Sequence, residues 1–233
     1  MKELVHSPGF GVLISLLAYE VGLLIHRHSR LAMLNPLLLA TCLLIVLLRA
    51  LGISFEDYNQ GGQVISFFLG PVTVALALPL YKQIPRFKAN ALPILTGIGV
   101  GAVTSILVVV LLARWFGFSE VLTKSLVPKS VTTPIGVAIC QQMGGVPSIS
   151  VAAIIITGVI GSILGPSLYK LLRCNDKIAF GVAMGASSHA IGTAKAMELG
   201  ETVGAMSALA MAISGIVTVA LAPLLWRLLT STH

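Results

Sequence analysis

Residues 125–145 read SLVPKSVTTPIGVAICQQMGG, a run apolar enough for a membrane yet broken twice by proline. Pro128 and Pro134 bracket Lys129, Ser130, Val131, Thr132 and Thr133. Proline cannot donate to a helix and pushes the residue before it towards extended geometry. The five bracketed residues are therefore expected to be non-helical. Thr133 followed by Pro134 reads as an N-cap with proline at the first helical position, opening a short helix that runs to about Met143. Its free N–H groups would face Lys129 and the hydroxyls.

The rest of the chain says what solvent surrounds this break. Of 233 residues, 56% are hydrophobic and 10% charged, and the mean hydropathy is +0.98. Those values lie far from an ordinary soluble domain. Runs 9–25, 36–51, 92–113, 149–172 and 203–228 each approach or reach the length a spanning helix needs. No alternating ten-residue pattern recurs, so helices rather than barrel strands are expected to span. The expectation is an all-α, polytopic membrane protein of about seven to eight helical segments, with residues 1–233 forming a single integral membrane domain. The first span lacks a small-residue cleavage site and is not read as a removable signal. The formal charge of +7 is scattered through short loops, which marks topology rather than nucleic-acid binding. Cys42, Cys140 and Cys174 form no CxxC pair and read as inert packing residues.

Basic loops set the number of crossings. Arg27, His28 and Arg30 form one cluster, Lys82, Arg86 and Lys88 a second, and Lys170, Arg173 and Lys177 a third. All three should be cytoplasmic. Two apolar segments separate the first and second clusters, but three separate the second and third: 92–113, 125–145 and 149–172. Three crossings would place the third cluster outside. The simplest repair makes 125–145 re-entrant, entering from the outside and turning back. Residues 178–200 could then dip from the cytoplasmic side or cross, leaving Arg227 inside; loop charge leaves both open. The segment 67–82, FFLGPVTVALALPLYK, is interrupted in the same way.

Irregular backbone at membrane depth is tolerated only where it is buried in protein or lines a wet cavity. A helix N-terminus beside Lys129, Ser130, Thr132, Thr133 and Pro134 would make a site for a small carboxylate. The plainer alternative is a surface loop with its lysine in water. Residues 185–201, GASSHAIGTAKAMELGE, pose a related problem. On one helix Gly181, Gly185, Ser188, Gly192 and Lys195 would form a stripe that admits another backbone; alternatively the helix breaks at Ser187–Ser188 and restarts with His189 in its first turn. Either way His189, Thr193, Lys195 and Glu198 are expected to face protein or a cavity. Lys195 and Glu198 can pair, and His189 can be either a hydrogen-bonded core residue or part of a solute path.

Small residues supply packing faces at Gly97 and Gly101 and at Gly161 and Gly165. The patterns TGIGVG at Thr96, TGVIG at Thr157 and SGIVT at Ser214 suggest a weak internal repeat with a period of about 60, although glycine-rich membrane helices resemble one another cheaply. No G-x-S-x-G elbow, HExxH or paired-Asp motif occurs, so no enzyme is expected. Nothing in the sequence points to a metal or an organic cofactor.

Five motifs in order, LNPLLLA (34–40), GISFEDYNQGG (52–62), LGPVTVALALPLYKQ (69–83), LVPKSVTTPIGVAI (126–139) and SSHAIGTAKAMELGE (187–201), resemble the LrgB/CidB family of bacterial membrane proteins. The resemblance implies a multi-span inner-membrane protein made alongside a small LrgA/CidA-type membrane partner. It also implies one of two activities: holin- or antiholin-like control of murein hydrolase export and autolysis, or transport of small monocarboxylates such as pyruvate, glycolate or glycerate. A homo-oligomer is compatible with either. Family members often carry a glutamate after the TTPI motif, where this chain has Ala138, Cys140, Gln141 and Gln142. If a carboxylate there couples protons in relatives, this chain lacks it, and coupling could instead use His189 or Glu198 or be absent.

Overall fold

The computed structural model describes residues 7–29, 36–68 and 84–230 and the isolated positions 71 and 81. The interrupted segment expected at 67–82 lies almost wholly outside the described residues. Those residues form ten helices and no strands, grouped in two compact units, Met1–Ala77 and Leu78–His233.

The first unit holds α1 (Pro8–Ser29), α2 (Pro36–Leu51) and α3 (Phe55–Phe67). The third was missed by hydropathy because FEDYNQGG is polar; it starts where Ser54 accepts a hydrogen bond from the Asp57 N–H at 3.1 Å. Glycine lets α1 approach its neighbours. A Cβ on Gly11 would lie 2.9 Å from Gly61 Cα, and one on Gly22 would lie 2.6 Å from the Pro36 carbonyl. Ser15 Oγ and Tyr58 OH join across the α1–α3 contact at 2.8 Å.

The second unit runs α4 (Ile84–Ala89), α5 (Ala91–Trp115), α6 (Glu120–Leu126), α7 (Thr133–Met143), α8 (Pro147–Leu171), α9 (Lys177–Glu198) and α10 (Glu201–Thr230). Among the described residues four helices are long and apolar enough to cross a membrane: α1, α5, α8 and α10. Their directions follow from what they touch. Ile94 and Ile98 of α5 pack with Met206 and Ala210 of α10, and Ile106 and Val110 with Ala222, so α5 and α10 run parallel.

Between α5 and α8 the chain makes a closed excursion. At 1.5 Å per residue α6 and α7 are about 10 and 16 Å long, short of the roughly 30 Å of a hydrocarbon core. Residues 127–132 between them are non-helical. The N-cap is Thr132, with extended φ −63° and ψ 148°, one residue before the expected position, and α7 ends at Met143 with Gly144 left-handed. Ser125, fully buried, accepts from the Val146 N–H at 2.7 Å, so the excursion leaves and returns at one place.

Helix α9 is two half-helices. His189 has φ 41° and ψ −133°, which no helix contains, so the break falls one residue past the serine pair. On a continuous helix Gly192 would lie about 12 Å along the axis from Met184. Instead a Cβ on Gly192 would come 2.8 Å from the Met184 carbonyl, and Ala196 packs in one cluster with Phe180 and Met184. The second half therefore folds back along the first.

Small residues fix this arrangement. A Cβ at Gly185 would overlap the Ser207 carbonyl, one at Gly181 would lie 2.8 Å from Met206 Cβ, and on α8 one at Gly161 or Gly165 would overlap Ser188 or Met184. Gly97 and Gly101 behave differently from the packing role expected of them. They are exposed, and among the described residues a Cβ at either would meet nothing within 4 Å, because that face of α5 borders open space rather than a helix. Gly185→Ala should therefore destabilise the protein by about 1–3 kcal/mol, whereas Gly97→Ala should leave it unchanged or stabilise it by up to about 1 kcal/mol. Thermal unfolding of the two variants in detergent checks both.

Candidate functional site

The open face of α5 belongs to a cavity of about 920 Å³ within the second unit. One end is marked by Asn90, Leu168 and Asp176, where α5 starts, α8 ends and α9 starts. The walls are small or aliphatic residues of α5, α8 and α9, with Gly97 and Gly101 opposite Gly161 and Gly165. The cavity reaches Ser105 and Val108 on α5, Thr157 on α8, Ser187 and Ser188 at the end of the first half of α9, and Lys129 and Ser130 in the turn between α6 and α7.

This polar region gathers the two backbone breaks. Lys129 Nζ donates to Ser130 Oγ at 3.2 Å and to Ser105 Oγ at 3.4 Å, and the two hydroxyls are 3.0 Å apart. No carboxylate among the described residues pairs with Lys129. On the other break, Ser187 gives its only hydroxyl proton to the Ala183 carbonyl at 2.7 Å, so Ser188 is the donor in their 3.0 Å bond. Ile154, fully buried on α8, lies between the breaks. Its Cδ1 fills the space beside Gly136 near the start of α7, and its carbonyl accepts from His189 Nε2 at 2.9 Å. The carbonyl can only accept, which puts the ring proton on Nε2.

His189 is 3% exposed and its positive φ costs on the order of 1–3 kcal/mol for a residue with a Cβ. The ring bond to Ile154 offsets about 0.5–1.5 kcal/mol of that. A Cβ at Gly158 would lie 2.7 Å from the ring, so glycine there makes the room.

Of the residues singled out in the sequence, Lys129, Ser130 and Ser188 line the cavity, as do Gly97, Gly101, Gly161 and Gly165. The others stand elsewhere. Thr132 caps α7 through its backbone without a side-chain cap bond, and Thr133 and Pro134 open the helix without lining the cavity. Thr193 bonds Ser207 Oγ at 2.9 Å across the α9–α10 contact, so its hydroxyl is used for packing. Lys195 and Glu198 form an ion pair of 2.6 Å with side chains 31% and 64% exposed. They were expected to face protein or a cavity, but the returning half of α9 carries them back beside the exposed start of α10. Ser105, Thr104, Thr157 and Ser187 were missed although they line the cavity. For Ser105 a signal existed: Gly97, Gly101 and Ser105 lie at i, i+4 and i+8, one face of α5.

Residues 15–228 match the family model described as the LrgB-like family. Proteins of Bacillus cereus and Bacillus anthracis named "Antiholin-like protein LrgB" are 40% identical over 219 residues, which is 94% of this chain and 95% of theirs. No solved structure matches. With four apolar helices of spanning length and a family match over nearly its whole length, the chain is a multi-pass bacterial membrane protein and belongs to the LrgB-like family.

Proposed function

We propose that this chain is an antiholin-like modulator of lysis and that its molecular activity is the carriage of a small monocarboxylate of the pyruvate, glycolate or glycerate type. The first half is supported by the names of its relatives. The second half is supported by one observation: a lysine without a carboxylate partner among the described residues, flanked by hydroxyls, lining a cavity inside an apolar helical unit. A lysine at the centre of a membrane helix costs about 2.5–3.5 kcal/mol, and such groups mark ion and substrate paths. Broken helices whose tips meet at depth are the usual frame for such a site. A small LrgA/CidA-type protein and self-association belong to the same reading as partners.

In this reading α6–α7 enters from the outside and returns, and the two halves of α9 enter from the cytoplasm and return. The ends of α5, α8 and α9 marked by Lys170, Arg173 and Lys177 are then cytoplasmic. Helix α10, parallel to α5, ends outside. A C-terminal alkaline phosphatase fusion should be active and a C-terminal green fluorescent protein dark; the opposite pattern would mean that α9 crosses.

The two halves of the proposal are tested apart. Counterflow of labelled pyruvate and glycolate is measured in proteoliposomes, with and without the small partner, and lysis is scored in cells. Lys129→Ala should lower uptake at least about 100-fold, the scale of losing a charge-assisted contact, while the protein still inserts. If Lys129→Ala also loses lysis control, carriage underlies the antiholin-like role. If lysis control survives in a Lys129→Ala variant that has lost uptake, carriage does not underlie the antiholin-like role; if wild type takes up no acid with or without the small partner, the carrier half is wrong.

A further inference from the structure

We infer that Ser105 is a positioning residue for the anion site, fixing the Lys129 ammonium so that the site presents two donors to one carboxylate. The inference rests on the carrier reading above and adds a residue from the spanning scaffold to it.

An ammonium has three N–H donors and no acceptor, and a serine hydroxyl has one donor. Lys129 spends two donors, on Ser105 Oγ and Ser130 Oγ. One of the two hydroxyls donates to the other across 3.0 Å. Five protons enter this cluster and three are committed within it, leaving one N–H and one O–H. Two donors side by side match the two oxygens of a single carboxylate. At 3.2 and 3.4 Å the lysine bonds are long for N–H···O. An ionised acceptor makes the shorter and stronger bond, so an arriving carboxylate can take the ammonium without first breaking a strong contact.

Ser130 cannot fix the ammonium by itself, because it sits next to Lys129 in the same non-helical turn and moves with it. Ser105 belongs to α5, a helix of spanning length held by Ile98 and Ile106 in the buried cores on either side. Among the described residues its hydroxyl makes the one hydrogen bond from the lysine head group to a different element. Without it the four-carbon stem is free to sample other rotamers, and each binding event must order it again. That cost falls on binding, so it raises KM and leaves turnover of the loaded carrier alone.

Counterflow of labelled pyruvate, or of glycolate if that is the acid the wild type takes up, is measured for wild type, Ser105→Ala, Ser105→Thr and Lys129→Ala in proteoliposomes of matched protein content. Ser105→Ala should raise KM about ten-fold, the effect of losing one hydrogen bond to a charged group, and change the maximal rate less than about two-fold. Ser105→Thr keeps the hydroxyl and should restore KM to within about three-fold of wild type. A structural role would lower the maximal rate or protein yield and would not be rescued by a bulkier hydroxyl. If Lys129→Ala is inactive while Ser105→Ala matches wild type, or if Ser105→Thr is as impaired as Ser105→Ala, the positioning role is overturned and the carrier reading stands. If wild type takes up no acid with or without the small partner, both fall.

Discussion

Backbone amides cannot go unpaired in hydrocarbon, and among the described residues of the second unit two breaks lie at the tips of short, folded-back helices: residues 127–132 and His189. Every other feature of the second unit follows from housing them. No half-helix among these four is long enough to span about 30 Å alone, both pairs fold back, and each tip must be surrounded by protein. Helix α8 does this for both. Its Ile154 packs beside Gly136 near one tip and accepts the His189 ring proton at the other. What the tips enclose is polar because they bring polar groups with them: Lys129 and Ser130 from one, Ser187 and Ser188 from the other.

The glycines decide how closely this can be done. Gly161, Gly165, Gly181 and Gly185 stand where a Cβ would strike a neighbouring helix: the first two make room on α8 for the Ser188 and Met184 side chains, and the last two bring the first half of α9 to the backbone of α10. In lipid, where apolar side chains gain little from leaving one apolar medium for another, such close approach is a main source of helix association. The same residue type serves a different purpose on α5. A Cβ at Gly97 or Gly101 would meet none of the described residues within 4 Å, and both glycines line the cavity, so small residues build the walls and also the space between them.

Much of this was legible before the fold was known. The spanning helices α1, α5, α8 and α10 fall within about two to four residues of the hydropathy runs, since twenty apolar residues in a row have few other fates. The proline pair revealed the break at 127–132, and its lysine is at the cavity. The polar stretch after Gly185 was ambiguous for a physical reason: a stripe of small residues describes both a helix that packs and a helix that breaks. The contacts of Gly192 and Ala196 with Met184 show the reversal. Thr193, Lys195 and Glu198 were drawn into the expected site because sequence spacing on one helix does not survive a reversal at His189. Ser105 was overlooked because a serine in a long apolar run usually bonds its own helix, and here it bonds Lys129 and Ser130 on another element.

In the proposed arrangement, two excursions from opposite ends of the second unit bring their tips to one cavity. The most direct measurement is the distance between spin labels at Ser130 and Ser187, placed in a background in which Cys42, Cys140 and Cys174 are replaced, with the protein in lipid bilayers. A separation below about 20 Å, with both labels shielded from water-soluble relaxation agents, is expected for tips that meet at depth. A separation near the roughly 30 Å of the hydrocarbon core, with each label open to water on its own face, would contradict it.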